Sequence, residues 1–168
     1  MSKHDEWFDR RASRAGPPDR KVRFAKAGRA LAQARQRNRI VEDGGVACPV
    51  LVEGRKDRLA LLALGFSGPI EQVNRGWDRS RLVAYLHSEY GTRNSHDRGP
   101  VLILMMDWDR TGGRLQRELG RRLRALDMQV EEQTRKVLLQ ALKPEGRTVE
   151  TLTPHAEELL THMALHDL

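Results

Sequence analysis

Three acidic residues follow two apolar segments of the chain. Glu53 ends the apolar run CPVLVEG at residues 48–54, and Asp107 and Asp109 end the run VLILMMDWD at residues 101–109. Side chains of a strand alternate between its two faces, so Asp107 and Asp109 are predicted to point the same way. Clustered carboxylates repel one another unless a cation neutralises them. We therefore predict a site for Mg²⁺, which prefers hard oxygen ligands and binds one or two carboxylates together with substrate phosphates.

The segments around these acids are predicted to alternate between strand and helix. Strands are predicted at residues 46–52, 69–73, 101–106 and 128–130, and helices at 22–40, 57–64, 78–90, 111–126, 135–142 and from Pro154 onward, with Thr153 as its N-cap. Such alternation is typical of βαβ units with right-handed crossovers. The predicted fold class is α/β, with a central, mostly parallel sheet and helices on both faces. Ligands of such sheets bind at the carboxyl ends of the strands.

Apolar spacing predicts which side chains face the core. The predicted buried positions are Leu59, Leu62 and Ala63 in one helix, Leu82, Val83 and Leu86 in the next, and the single cysteine Cys48 in the first strand. With one cysteine the chain forms no intrachain disulfide. No apolar run approaches the roughly 20 residues that cross a bilayer, and the N-terminus has no signal-peptide apolar segment. We expect a cytoplasmic protein without a membrane partner.

Charge is distributed unevenly along the 168 residues. Residues 1–39 contain 12 Lys and Arg against 4 Asp and Glu, whereas the remainder contains 18 against 19. The stretch through Asp19 has few apolar residues and is predicted to be flexible at its start, and residues 22–40 favour a basic surface helix. We predict three parts: a basic N-terminal arm at 1–43, a domain at 44–132 and a helical extension packed on it at 133–168. The arm is typical of a nucleic-acid-facing segment or of a solvated tail.

Three motifs, each after an apolar strand, resemble the Toprim domain of topoisomerases, bacterial-type primases and several nucleases. They are Val52-Glu53-Gly54-Arg55-Lys56-Asp57, Asn74-Arg75-Gly76 and Asp107-Trp108-Asp109. The resemblance covers about residues 46–130 and rests on their order, spacing and strand context together. The turn DWDRTGG and the tail LLQALKPEGRTVETL are most similar to the small stand-alone Toprim proteins of archaea, and more distantly to the Toprim ribonuclease that matures 5S ribosomal RNA.

The resemblance implies a single Toprim domain with magnesium-dependent phosphoryl transfer on nucleic acid, RNA or DNA. A small nuclease, with RNA processing as one role, is the simplest form, and no oligomeric state follows. Glu53 matches the Toprim glutamate, a general acid/base or metal ligand, while Asp107 and Asp109 match the aspartates that hold one or two Mg²⁺ ions, with Mn²⁺ as a substitute. Gly54 fits the turn that aims the glutamate. Asp57 matches an acidic position of several nucleases and is a further metal ligand, or else a helix N-terminal residue favoured by the dipole.

Basic side chains beside the acids are candidates to bind phosphate. They are Arg55, Lys56, Arg75, Arg110, Arg114 and Arg117. The last two belong to a stripe of arginines that continues through Arg121 and Arg124 at helical spacing, for which a solvated face is the alternative interpretation.

Other functions remain open or are disfavoured. A non-catalytic module that binds RNA or ribonucleoprotein with the help of Mg²⁺ is the main alternative. Residues 107–111 also match the DxDxT signature of haloacid-dehalogenase-type phosphatases, but no later apolar strand ends in the second acidic pair of that family. Topoisomerase activity needs a tyrosine nucleophile in a DNA-gate domain. Tyr85 and Tyr90 both lie in a predicted helix outside such a domain, so this activity is disfavoured. The three C-terminal histidines are predicted to be surface residues.

Overall fold

Four short parallel strands form the centre of the fold, in the order β2-β1-β3-β4. The computed structural model describes residues 19–167, so all but the last residue of the predicted flexible start lies outside the described residues. The strands are β1 Val50–Val52, β2 Ile70–Gln72, β3 Leu102–Leu104 and β4 Val130–Glu131. The helices within this range are α1 Arg20–Asn38, α2 Arg55–Ala63, α3 Arg79–Tyr90, α4 Arg110–Ala125, α5 Gln133–Leu142 and α6 Ala156–Ala164, with 3-10 turns at Val41–Asp43 and Val149–His155.

Both faces of the sheet are covered by helices. Val50 and Val52 of β1 belong to a buried cluster with α1, α2, α5 and α6, whereas Leu51 belongs to a second cluster with α3 and α4. Strands buried on both faces are apolar at every position, which is why VLILMM reads as a continuous run rather than an alternating one. The predicted α/β class, the parallel sheet and the helices on both faces are confirmed.

The central strands β1 and β3 are direct neighbours, with Val50 opposite Ile103 in the register. Their carboxyl ends therefore open at the same edge of the sheet. The chain leaves β1 at Glu53 and leaves β3 through a short irregular stretch that leads to Asp107. The topology thus brings two distant acidic motifs to one place.

The basic helix α1 is packed into the fold rather than lying on its surface. Phe24, Ala27 and Leu31 are fully buried, and the helix packs against α5 and α6. At Gly28 a Cβ atom would come within 2.6 Å of the His162 Cβ, so glycine allows α1 and α6 to cross closely. Small residues on one face of α1 hid its burial from the apolar pattern, and the surface helix predicted at 22–40 is corrected to a core helix.

Two local predictions, for the first strand and for α2, are corrected by longer-range packing. The first strand is shorter than 46–52, because Val46 and Cys48 donate backbone hydrogen bonds to the Arg37 carbonyl at the end of α1. In α2 the buried residues lie two positions earlier than predicted: Leu59 and Leu62 are exposed, whereas Ala60 and Leu61 are fully buried.

The last helix also begins later than predicted. Thr153 and Pro154 lie in the 3-10 turn, and α6 starts at Ala156. By contrast, Leu82 and Leu86 of α3 and the core cysteine Cys48 are buried as predicted. Among residues 19–167, no helix combines the length and the apolar character needed to cross a membrane.

Candidate active site

The two acidic motifs meet at the carboxyl ends of β1 and β3. The Asp107 backbone N–H donates to Glu53 Oε1 over a long 3.4 Å. Like charges this close disfavour full ionisation of the two carboxyl groups. The structure therefore brings Glu53 and Asp107 into direct contact, although 54 positions of sequence separate them.

Burial and mutual repulsion perturb the acidity of this pair. Burial raises the pKa of Asp107 to about 6, and the charges of Glu53 and Asp109 act in the same direction, against a hydrogen bond from Val149. Burial also raises the pKa of Glu53, although the Asp107 hydrogen bonds oppose it. A cluster of carboxyl groups with raised pKa values is typical of a functional site.

Asp109 lies beside the pair but has a second task. Its Oδ1 accepts a 2.7 Å hydrogen bond from the Gly112 N–H, so Asp109 is the N-cap of α4. Gly112 in turn packs on the backbone of Asp107, where a Cβ atom would fall 2.0 Å from the carbonyl oxygen. Only glycine permits this approach, and the close contact holds the DWD segment against the start of α4.

Asp57 is buried beneath the pair, at the start of α2. It accepts a 3.0 Å hydrogen bond from the Gly54 N–H. Burial first, and then the charge of Asp107, raise the pKa of Asp57 to about 6. The contact with Gly54 supports the helix N-terminal interpretation of Asp57. Gly54 is the residue before α2 and has an extended backbone that any residue adopts, so its turn does not require glycine.

The C-terminal part of the chain fixes the orientation of Asp107, which the sequence did not indicate. Arg135 of α5 donates from Nε to the Met106 carbonyl at 3.0 Å and from Nη2 to the Asp107 carbonyl at 2.8 Å. The Val149 N–H donates to Asp107 Oδ1 at 2.8 Å. A backbone N–H donor cannot be recognised from the residue type, and Arg135 is not part of a periodic sequence pattern. The unusual tail segment around Val149 is the sequence feature that could have indicated these contacts.

Trp108 anchors the same segment from the opposite face. Its indole Nε1 donates to the Gly146 carbonyl at 2.8 Å, its backbone N–H donates to the Arg147 carbonyl, and its ring is buried in the core. The predicted alternation of the DWD triplet thus places Trp108 inward, while Asp107 faces Glu53. Residues 146–149 are consequently part of the site.

The basic residues predicted to bind phosphate fall into two groups. Among residues 19–167, Arg55 and Lys56 on α2 and Arg110, Arg114 and Arg117 on α4 are exposed and have no ion pair or side-chain hydrogen bond. Arg75 differs from them. Its guanidinium pairs with Glu71 at 3.0 Å, and it lies over the rings of Trp77 and Tyr85 at about 5 Å. Arg75 therefore joins the loop after β2 to α3.

The donor chemistry of the pair can be compared with that of a magnesium site. Within residues 19–167, no group of three or more Asp, Glu, His or Cys side chains has an arrangement that could hold a metal ion. Glu53 and Asp107 nevertheless supply two hard carboxylate ligands in contact, and Mg²⁺ is commonly held by one or two carboxylates with waters and substrate phosphates. The pair fits Mg²⁺ on these terms, although one oxygen of each carboxyl group accepts from a backbone N–H, as in Asp57 and Asp109.

Comparison with known proteins adds information on the fold. No known protein family and no curated protein matches this chain. A solved structure of a protein from Aquifex aeolicus is similar to it, with a TM-score of 0.51 and 19% sequence identity over 80% of this chain and 98% of that chain. At this level of identity the similarity bears on the α/β fold alone.

Proposed function

We propose that the protein is a magnesium-dependent phosphoryl-transfer enzyme that hydrolyses nucleic acid. The observation that carries the proposal is the contact between Glu53 and Asp107 at the carboxyl ends of the central strands. This edge is where open α/β sheets bind their ligands. The motif order that resembles the Toprim domain supports the same chemistry.

The pair is arranged to hold and move a proton. Without a bound cation, burial raises the pKa of both Glu53 and Asp107, and a carboxylate with a raised pKa accepts a proton more readily. Asp107 is held by Val149 and Arg135, so it is the more rigid partner. We assign Glu53 as the base that accepts the proton of the attacking water, with Asp107 as its orienting neighbour.

Mg²⁺, when bound, supplies positive charge that stabilises the charge developing on the phosphate. Glu53 and Asp107 are the residues that would hold it. The unpaired cations on α2 and α4 provide affinity for a polyanion through counterion release. The described residues thus supply a proton acceptor, carboxylate ligands and phosphate-binding side chains around one edge of the sheet.

Water is a better-supported nucleophile than a side chain. The hydroxyl groups of Tyr85 and Tyr90 both donate to Glu71, at 3.2 and 3.1 Å. Burial raises the pKa of both tyrosines, which makes the phenolate form harder to reach. A tyrosine-based strand transfer is therefore not supported, and hydrolysis is the simpler reaction.

The test is a cleavage screen with matched variants. The wild-type chain, Glu53→Gln and Asp107→Asn are incubated with Mg²⁺ and labelled single-stranded and duplex RNA and DNA, and Glu42→Gln on the exposed turn after α1 is the control. We expect cleavage by wild type and control, and at least a hundredfold loss in both site variants. Absence of cleavage by wild type, with salt-sensitive binding that survives both site substitutions, would overturn the proposal in favour of a non-catalytic binding module.

A further inference from the structure

Arg135 has N–H groups that its hydrogen bonds to the backbone do not use. Its guanidinium is fixed by the carbonyls of Met106 and Asp107 through Nε and Nη2. Its Nη1 has no hydrogen-bond partner among residues 19–167 and is not fully buried, so it can still donate to a ligand. A half-buried guanidinium clamped on two sides holds its remaining N–H groups in a defined direction, which is the property that makes arginine suited to bind phosphate.

Arg117 brings a second guanidinium to the same place. Arg117 follows Gly113 by one helical turn, and side chains on a helix lean toward its N-terminus. The point that a Cβ atom of Gly113 would occupy is 3.6 Å from Arg117 Nη1 and 3.7 Å from Arg135 Nη2. Two cationic groups therefore converge over a residue without a side chain.

Acids pair directly with other arginines of α4. Arg122 pairs with Glu118 at 3.3 Å, and Arg124 pairs with Glu132 at 2.9 Å. Arg117 has no such partner among residues 19–167. An anion between the two guanidinium groups would reduce the repulsion between like charges that lie close together.

The geometry points to a phosphate-binding subsite formed by Arg117 and Arg135, next to the Glu53–Asp107 pair. Arg135 contacts the Asp107 carbonyl directly, so the subsite borders the carboxylates. Its assignment to a nucleic-acid strand rests on the proposed function, and the phosphate it takes is a neighbour of the one that reacts. Paired arginine forks form the short, charge-assisted hydrogen bonds that phosphate oxygens accept. Either an internal phosphodiester or a terminal monophosphate supplies this chemistry.

The experiment measures binding without cleavage. Labelled single-stranded RNA is titrated in EDTA at several salt concentrations with wild type, Arg117→Gln and the control Arg121→Gln, which removes the same charge one turn farther along α4. We expect Arg117→Gln to weaken binding about tenfold and to reduce the salt slope by about one, and Arg121→Gln to have a clearly smaller effect. Equal effects of the two substitutions would overturn the subsite, because they indicate a diffuse positive field.

Two further arms complete the test. An oligonucleotide with a 5′-monophosphate is compared with its 5′-hydroxyl form, and a preference that disappears in Arg117→Gln assigns the subsite to a terminal phosphate. Arg135→Lys keeps the charge but removes the fork, so we expect it to weaken binding by a similar factor, and unchanged affinity would contradict the role of Arg135. A loss of binding in Arg117→Gln in a protein that cleaves nothing would retain the subsite and remove only the proposed hydrolysis.

Discussion

Helix α1 and the rim of the carboxylate pair, which consists of Arg110, Arg114 and Arg117 of α4, are both rich in basic residues. These residues have different roles in the two regions. Within residues 19–167, four arginines of α1 pair with carboxylates far along the chain. They are Arg20, Arg23, Arg35 and Arg37, with Glu158, Glu145, Asp167 and Asp97 as the respective partners. On the rim, Arg110, Arg114 and Arg117 have no such partner in the described part of the chain. The basic residues of α1 therefore attach this helix to the rest of the fold, whereas in our proposal those of the rim form a ligand-binding surface.

The physical difference lies in burial. The Arg23 and Glu145 side chains are 9% and 11% exposed, so each needs the other to remain charged inside the fold. The rim arginines stay hydrated and lose little when no partner is present.

The largest effect is expected for Arg23→Met on α1. The substitution leaves the Glu145 carboxylate buried without its partner and removes a 2.8 Å hydrogen bond to the Ala141 carbonyl. We expect the free energy of unfolding to fall by about 3–5 kcal/mol, measured by urea denaturation. The double variant Arg23→Met with Glu145→Gln should recover much of that loss. A loss below about 1 kcal/mol would mean that α1 is attached like an ordinary surface helix.

A smaller effect on stability is expected for alanine substitutions of two adjacent glycines at the start of α4, and its sign differs between them. Gly112→Ala places a Cβ atom against the Asp107 carbonyl, and we expect a loss of about 1–3 kcal/mol of stability together with lower activity. Gly113→Ala meets only ordinary contacts and should raise stability by up to about 1 kcal/mol through helix propensity. Thermal unfolding of the matched pair measures both. Equal behaviour of the two variants would contradict the close packing of α4 on the DWD segment.

Asp107→Asn should stabilise the protein at neutral pH. Since the pKa of Asp107 is raised to about 6 in the folded state, the ionised carboxylate costs stability above that pH. We expect a gain of the order of 1 kcal/mol at pH 8, discounted for partial exposure, which shrinks as the pH falls through about 6 and vanishes near the ordinary aspartate pKa of about 4. Urea unfolding between pH 4 and pH 8 provides the measurement, with Asp43→Asn as the exposed control. A loss of stability at pH 8 would contradict the repulsion between the two carboxylates.

The smallest effect is expected for the stability of the rim variants. Arg117→Ala and Arg114→Ala remove exposed side chains without partners among residues 19–167, so the free energy of unfolding should change by less than about 0.5 kcal/mol. The same urea protocol used for Arg23→Met gives a direct comparison. A cost above about 1 kcal/mol would show that these arginines support the fold and would weaken their assignment to a ligand.

The fold class was predictable because the apolar runs are strong and local. The segments that became β1 and β3 are continuous, β-branched and leucine-rich, and Leu82 and Leu86 follow helical spacing on α3. The approach of Glu53 to Asp107 could also be anticipated, since the carboxyl ends of parallel neighbours share an edge. Rules of period and topology are sufficient for this part of the molecule.

The rest depends on contacts between distant segments. The exposed position of Leu59 follows from α2 packing on the Val149–His155 turn, which no local pattern indicates. The roles of Val149 and Arg135 at the site come from a backbone N–H and from a guanidinium that spans to another element. Burial of α1 depends on small residues such as Ala27 and Gly28, whose packing value is set by the partner helix.

Metal titration reports on the Glu53–Asp107 pair itself. The wild-type chain, Asp107→Asn, Glu53→Gln and the control Asp43→Asn are titrated with Mn²⁺ in place of Mg²⁺ and followed by calorimetry and by the electron paramagnetic resonance signal of free Mn²⁺. The contact between Glu53 and Asp107 predicts saturable binding by wild type and Asp43→Asn, and binding weakened at least tenfold in both site variants. Equal Mn²⁺ binding by all four proteins, or none by wild type, would contradict a cation site at this pair.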